Sequence, residues 1–347
     1  MSSCLHKNNK RAIQVTDKYL RNKRYSCLFP GCNETAIQSH AIQRASCAEA
    51  LATNGVVYSL QQSYNMAIKN NSATDPLHVV KVGINDASVF KGFCPAHDTM
   101  LFAPAEAPPM GKNDGMYISL HLRALALEYC RKRRHADFLR KMAGFIVNPE
   151  GRQSYLSVAD MHDRFCSNFM ALYLGSTFNI ILGSSIDSIE YFVINFSQNL
   201  LVSCCGCFNV EPDEFESVVA YNLISYSEGS LLVLTVFKAV ERFLDAFLEN
   251  YNQPQRIEQL VNDIAFFRCE EPLISPRLWL SLNDEERLAV RRSLRHPDYR
   301  DEIEAPRIIK LTKADSEQFA VPKVLARTPH YTAIMNDLGK LVCPNKL

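Results

Sequence analysis

Between residues 116 and 142 the apolar side chains Leu120, Ala124, Leu127, Phe138 and Leu139 recur at three- and four-residue steps mixed with longer gaps, and Arg and Lys fill the positions between. This spacing predicts one long amphipathic helix. A second helix is expected beside it over 156–174, "LSVADMHDRFCSNFMALYL". The pattern then changes to runs of β-branched and aromatic residues: "EYFVINF", "LLVSCCGCFNV", "SVVAYNLISY" and "LLVLTVFKAV". Ser-Gln-Asn joins the first pair and Ser-Glu-Gly-Ser the second, which predicts two antiparallel hairpins and hence a four-stranded sheet. Helical periodicity returns in "VERFLDAFLENY", "RIEQLVNDIAFF" and "NDEERLAVRRSL", where Asn283 three residues before Glu286 makes a capping-box start. The expected class is α+β, with the sheet flanked by helices.

The first hundred residues carry no such pattern. A helix is expected over "AIQRASCAEALA" and a polar loop over "KNNSATDP". The three prolines and two glycines of "APAEAPPMGKNDG", residues 103–115, mark the strongest boundary in the chain. The expected organisation is an N-terminal module over 1–107, a helical connector over 108–175 and an α+β domain over 176–347.

The chain of 347 residues is 47% hydrophobic, enough for sizeable cores, and its formal charge of +1 says nothing of partners as a global number. The opening "MSSCLHKNNKRAIQVTDKYLRNKR" has no apolar core of a secretory signal, and neither 165–186 nor 191–210 is apolar enough to span a membrane. A cytoplasmic location is expected, with no membrane contact, and the twelve cysteines read as reduced thiols or metal ligands. Cys47, Cys130, Cys166 and Cys269 fall in apolar helical patterns and read as core residues. "SCCGCF" at 203–208 reads as a buried strand, because neighbouring thiols on a strand face opposite ways.

Candidate chemistry lies in the N-terminal module. "SCLFPGCNETAIQSHAIQ" holds Cys27, Cys32 and His40, and "GFCPAHDTMLF", about sixty residues on, holds Cys94, His97 and Asp98. Both cysteine-bearing stretches are punctuated by Gly and Pro, as metal-binding loops are. Cys27-x4-Cys32 with Cys94-x2-His97 fits a treble clef, in which a knuckle loop gives two zinc ligands and a helix start gives two more. A long insert between the pairs suggests that a structural Zn²⁺ replaces part of a missing core. His40 is then surplus. It is a base beside the site, a zinc ligand in place of His97, or a buried hydrogen-bonded histidine.

A cysteine pair, a histidine within "SHAI" and then "GFCPAHDTMLF" resemble the HNH-type (ββα-metal) nucleases and their zinc-bearing relatives among uncharacterised bacterial proteins, many of them in antiphage defence loci. The resemblance covers roughly residues 25–105. It implies that His40 activates a water against a phosphodiester, and that Asp98, just after the last zinc ligand, helps hold a catalytic Mg²⁺ or Mn²⁺. Ser39 stands where the family usually has an acidic residue, and Asn85 is a distant candidate for its asparagine.

Basic residues cluster over 1–24, with seven Lys/Arg against one Asp, and over 131–141, "RKRRHADFLRK", with six against one. Such clusters neutralise phosphates or form solvated helix faces. The function expected is metal-dependent cleavage of DNA or RNA, and the resemblance implies a role in bacterial phage defence. The alternative is a non-catalytic zinc module for nucleic-acid or protein binding, with the C-terminal domain as a sensor or a platform for a protein partner.

Overall fold

The computed structural model describes residues 2–62, 77–106, 114–183, 189–210, 217–251, 253, 256–294, 305–317 and 326–327. The expected polar loop at 69–76 and the centre of the proline-rich boundary, 107–113, lie outside these residues.

The N-terminal region is more regular than its sequence suggests. Helix α1 (Ser2–Asn22) buries Ala12, Ile13, Thr16 and Leu20, a face at helical spacing. A loop closed by a bridge between Ser26 and Thr35 leads into β1 (Gln38–His40). A π-helical turn over Arg44–Ala48 and a short helix over Glu49–Leu51 stand where "AIQRASCAEALA" was expected to be helical. Strands β2 (Val56–Gln62) and β3 (Leu77–Gly83) then pair antiparallel before β4 (Val89–Lys91) returns to β1. Helix α2 (Pro95–Glu106) follows. The insert between the two ligand pairs is therefore a hairpin with a place in the main sheet, which corrects the expectation of poor structure.

The two long helices are present as α3 (Asp114–Ala143) and α4 (Pro149–Phe169). The latter runs through a π-helical turn into α5 (Gly175–Ile181). All four expected strands are found: β5 (Ile189–Phe196), β6 (Val202–Asn209), β7 (Val218–Tyr226) and β8 (Gly229–Phe237). Their pairing differs from the expected two hairpins. β6, β7 and β8 form a meander, and β5 pairs with β8 rather than with β6, a Greek-key order. Residues 197–201 make the crossing over the tip of the β7–β8 hairpin. Asn199 Nδ2 donates to the Tyr226 carbonyl at 2.7 Å, the Leu200 amide donates to Ser230 Oγ, and Leu201 takes a positive φ of 58°. Short turn sequences do not by themselves distinguish a hairpin from such a crossing.

Nor does the sheet stop at four strands. Its described order is β10-β5-β8-β7-β6-β9-β2-β3, antiparallel at every pairing, with β9 (Leu273–Ile274) bridging β6 to β2 and β10 (Ala326–Arg327) at the far edge. Both faces are covered. Cys205, Cys207, Val218 and Ala220 face α3 and the N-terminal module. Cys204, Phe208, Val219 and Tyr221 face α6 (Glu241–Glu249), α7 (Ile257–Asp263) and their continuation. Helices α8 (Pro276–Ser281) and α9 (Asp284–Ser293) complete that layer, and α9 opens with the expected reciprocal box: Glu286 N donates to Asn283 Oδ1 and Asn283 N to Glu286 Oε2, both at 2.9 Å. No helix among the described residues is long and apolar enough to cross a membrane.

Candidate metal centre

Cys27 and Cys32 flank a tight loop. The Cys27 amide donates to the Glu34 carbonyl at 2.8 Å, the Cys32 amide donates to the Phe29 carbonyl at 3.1 Å, and Gly31 between them has a φ of +75° that glycine adopts without strain. The second pair is set by the start of α2: Cys94 immediately precedes Pro95, and His97 sits one turn in, where its side chain turns back toward Cys94. Two backbone bonds tie the halves together. Leu28 N donates to the Gly92 carbonyl at 2.8 Å and Ile37 N to the Phe93 carbonyl at 2.7 Å.

The ligand atoms of Cys27, Cys32, Cys94 and His97 all lie within 4.8 Å of one another. Cys27 Sγ is 3.5 Å and Cys94 Sγ 3.2 Å from His97 Nδ1, and Cys32 Sγ is 3.9 Å from Cys94 Sγ. A tetrahedral ion with bonds of ~2.3 Å to sulfur and ~2.0 Å to nitrogen would set these edges at about 3.5 Å for S···N and about 3.8 Å for S···S. The quartet thus has the shape and donor set of a site that could hold a metal ion. Phe29 fixes the imidazole from one side, its ring stacked on that of His97 at 4.0 Å between centroids and 13° between planes. Burial pushes the Cys27 thiol up to about 12. The positive charge of a cation is what would let these thiols ionise together. His40 lies outside the four, so its place as a ligand instead of His97 is not borne out.

A cluster of polar side chains adjoins the quartet. β1 ends with Ser39 and His40, held against β4 by pairing of Ser39 with Phe90 and His40 with Val89. Asp98, the next residue after the last quartet member, faces both. Burial raises the Asp98 carboxyl above its usual range, and Glu106 adds to this, while Ser39, Arg123 and His40 act in the opposite direction. Ser39 Oγ, His40 Nε2 and Asp98 Oδ1 are closed to solvent, and the Ser39 hydroxyl lies within hydrogen-bonding reach of the Asp98 carboxylate.

The charged groups packed near Asp98 were not legible in the sequence. Arg123, on α3, is almost fully buried; its Nη2 donates to Glu106 Oε1 at 2.8 Å and its guanidinium lies 4.4 Å from the centre of the Phe102 ring. Gln43 Nε2 donates to the Glu106 carbonyl at 2.6 Å. Arg123 belongs to an otherwise apolar stretch, and a buried arginine there is the one signal that could have been noticed. Asn85 accepts from Arg44 Nη1 at 3.0 Å, in the turn between β3 and β4.

The second basic cluster is mostly spoken for. Arg131 pairs with Glu270 and Glu271, Lys132 with Glu128, and Arg140 with Asp160 and Asp163, while Arg133 Nη2 donates to the Lys91 carbonyl at 2.8 Å. The "SCCGCF" thiols lie within the buried strand β6, on its two faces. No protein-family model, no curated protein and no solved structure matches the chain.

Proposed function

We propose that the chain is a metal-dependent nuclease whose N-terminal module is a zinc-bound treble clef of HNH type. The observation that carries this reading is the meeting of His40 and Asp98 beside the Cys3His quartet, with both side chains turned into the interior. Zn²⁺ is the ion that a set of three thiolates and one imidazole suits best, and bound by Cys27, Cys32, Cys94 and His97 it would hold the knuckle loop to the start of α2. His40 Nε2 takes a proton from water as the water oxygen attacks phosphorus, and the bond to the leaving oxygen breaks. Mg²⁺ or Mn²⁺ held by Asp98 would supply charge stabilisation to the pentacoordinate phosphate. Arg123, ion-paired with Glu106, keeps positive charge near Asp98 and so favours its ionised form.

The test uses the purified full chain with DNA and RNA substrates and added Mg²⁺ or Mn²⁺. His40→Ala is expected to keep its zinc and thermal stability and to lose cleavage by ~10²- to 10⁴-fold. Asp98→Ala is expected to weaken the dependence on added metal. Zinc-loaded wild type that cleaves none of these substrates overturns the proposal.

One observation favours a second reading, a zinc module that binds without catalysis: His40 Nε2 and Asp98 Oδ1 are covered, so a phosphodiester does not reach them unless the pocket opens. On that reading His40→Ala and Asp98→Ala alter stability alone.

A further inference from the structure

The two basic clusters, more than a hundred residues apart in sequence, meet in space. The C-terminal half of α1 packs along the far end of α3, where Ala12 and Ile13 bury against Met142 and Thr16 Oγ1 donates to its sulfur at 3.4 Å. Beside this seam lies an open cleft of about 350 Å³ lined by Val15, Lys18, Tyr19, Asn22, Lys23 and Lys141. Among the described residues, no acidic side chain lines it.

Several cations of the neighbouring α3 surface are held by internal partners: Arg131, Lys132 and Arg140 in ion pairs and Arg133 on a carbonyl. Lys23 is paired with Asp137, whose other oxygen accepts from Tyr25. Lys18 and Lys141 form no ion pair among the described residues, and Lys141 sits 5.1 Å from the centre of the Tyr19 ring. Tyr19 itself is 41% exposed, and Val15, one turn away, equally so. An exposed aromatic ring set among unpaired ammonium groups matches what a single nucleic-acid strand requires, cations for the phosphates and a flat face for a base. The end of α1 that lines the cleft is also tied to the strand pair that carries His40. Lys91, on the strand paired with β1, donates to the Arg21 carbonyl at 2.7 Å and the Lys23 carbonyl at 3.0 Å, which ties the end of α1 to the β1–β4 pair.

We infer that the α1–α3 cleft binds single-stranded nucleic acid, with Lys18 and Lys141 on the phosphates and Tyr19 stacked on a base. The inference deepens the nuclease reading by locating its substrate track, and it is tested by binding alone. The full chain carrying His40→Ala, so that no probe is cut, is titrated by fluorescence anisotropy with labelled single-stranded DNA, single-stranded RNA and duplex DNA over a range of salt. Lys18→Glu with Lys141→Glu is expected to lower the slope of log K against log salt by about 1.4, two phosphates at ~0.7 each on a single strand. Tyr19→Ala is expected to weaken single-strand binding by about 5- to 150-fold, and Tyr19→Phe to restore it. The variants' circular dichroism and thermal midpoints show that they remain folded, since Lys18 and Tyr19 are exposed and Lys141 is half-buried at the rim of the cleft. Unchanged affinity and slope in the lysine variant overturn the inference, as do tighter binding to duplex than to single strands, or equal competition by polyglutamate. Intact single-strand binding with no cleavage by wild type leaves the cleft standing and removes the nuclease reading.

Discussion

At the residue scale the protein places several polar groups where burial governs their behaviour. His121 of α3 is 2% exposed; its Nδ1 lies 2.8 Å from Thr235 Oγ1, its Nε2 has no partner, and Phe237 meets its ring edge-on. Burial depresses its pKa from 6.5 to about 3, so the folded protein holds His121 neutral where the unfolded chain already protonates it. Stability from this group is complete above pH 6.5 and is lost as the pH falls toward 3, at up to about 1.4 kcal/mol per pH unit. His121→Gln removes that dependence. The stability difference between wild type and variant, measured by denaturant titration, should therefore shift against wild type as the pH is lowered across this window. Parallel curves for the two proteins would show that His121 is protonated without penalty.

At the scale of elements, the Greek-key crossing rests on a glycine. A Cβ on Gly229 at the start of β8 would stand 2.5 Å from the Phe196 carbonyl oxygen at the end of β5, a contact that only backbone movement relieves. Gly229→Ala should cost about 1–3 kcal/mol, read as a lower denaturant midpoint with unchanged slope. Gly83, at the end of β3, has nothing within 4 Å of the same position, and Gly83→Ala should stay within about 0.5 kcal/mol of wild type. Equal costs at both glycines would show that the β5–β8 approach does not constrain residue 229. The local signals for helices α3, α4 and α9 and strands β5 to β8 were readable because each element repeats its apolar period over two or more turns or pleats. Helix α1 was missed although Ala12, Ile13, Thr16 and Leu20 keep helical spacing, because lysines and asparagines around them dilute the pattern.

Across the whole molecule, the quartet is wired into the central core. Cys27, Leu28, Phe29 and Cys94 share one apolar cluster with Leu122 and Leu125 of α3 and with Val218 and Ala220 of β7. Strands β2 and β3, from before residue 107, extend the same sheet as β5 to β8. Metal loss should accordingly be felt beyond the knuckle loop. Cys94→Ser is expected to lose zinc and to lower the temperature of a single cooperative transition seen alike by far- and near-ultraviolet circular dichroism, because structural zinc can contribute ~10–16 kcal/mol of apparent binding free energy to folding. If the variant loses zinc while the main transition stays in place, the module is energetically separate from the sheet.

The residues of the quartet, the α+β class, the long helices and the four central strands could be named from order along the chain, since each depends on spacing between near neighbours. Pairing partners could not. That β5 reaches β8, that β2 and β3 complete the sheet through the two residues of β9, and that Arg131 and Arg133 are held internally while Lys18 and Lys141 are left open depend on contacts between residues far apart in sequence. The meeting of Ser39, His40 and Asp98 with Arg123 is of the same kind. A local pattern states which face of an element avoids water, and only the packed chain decides which other face covers it.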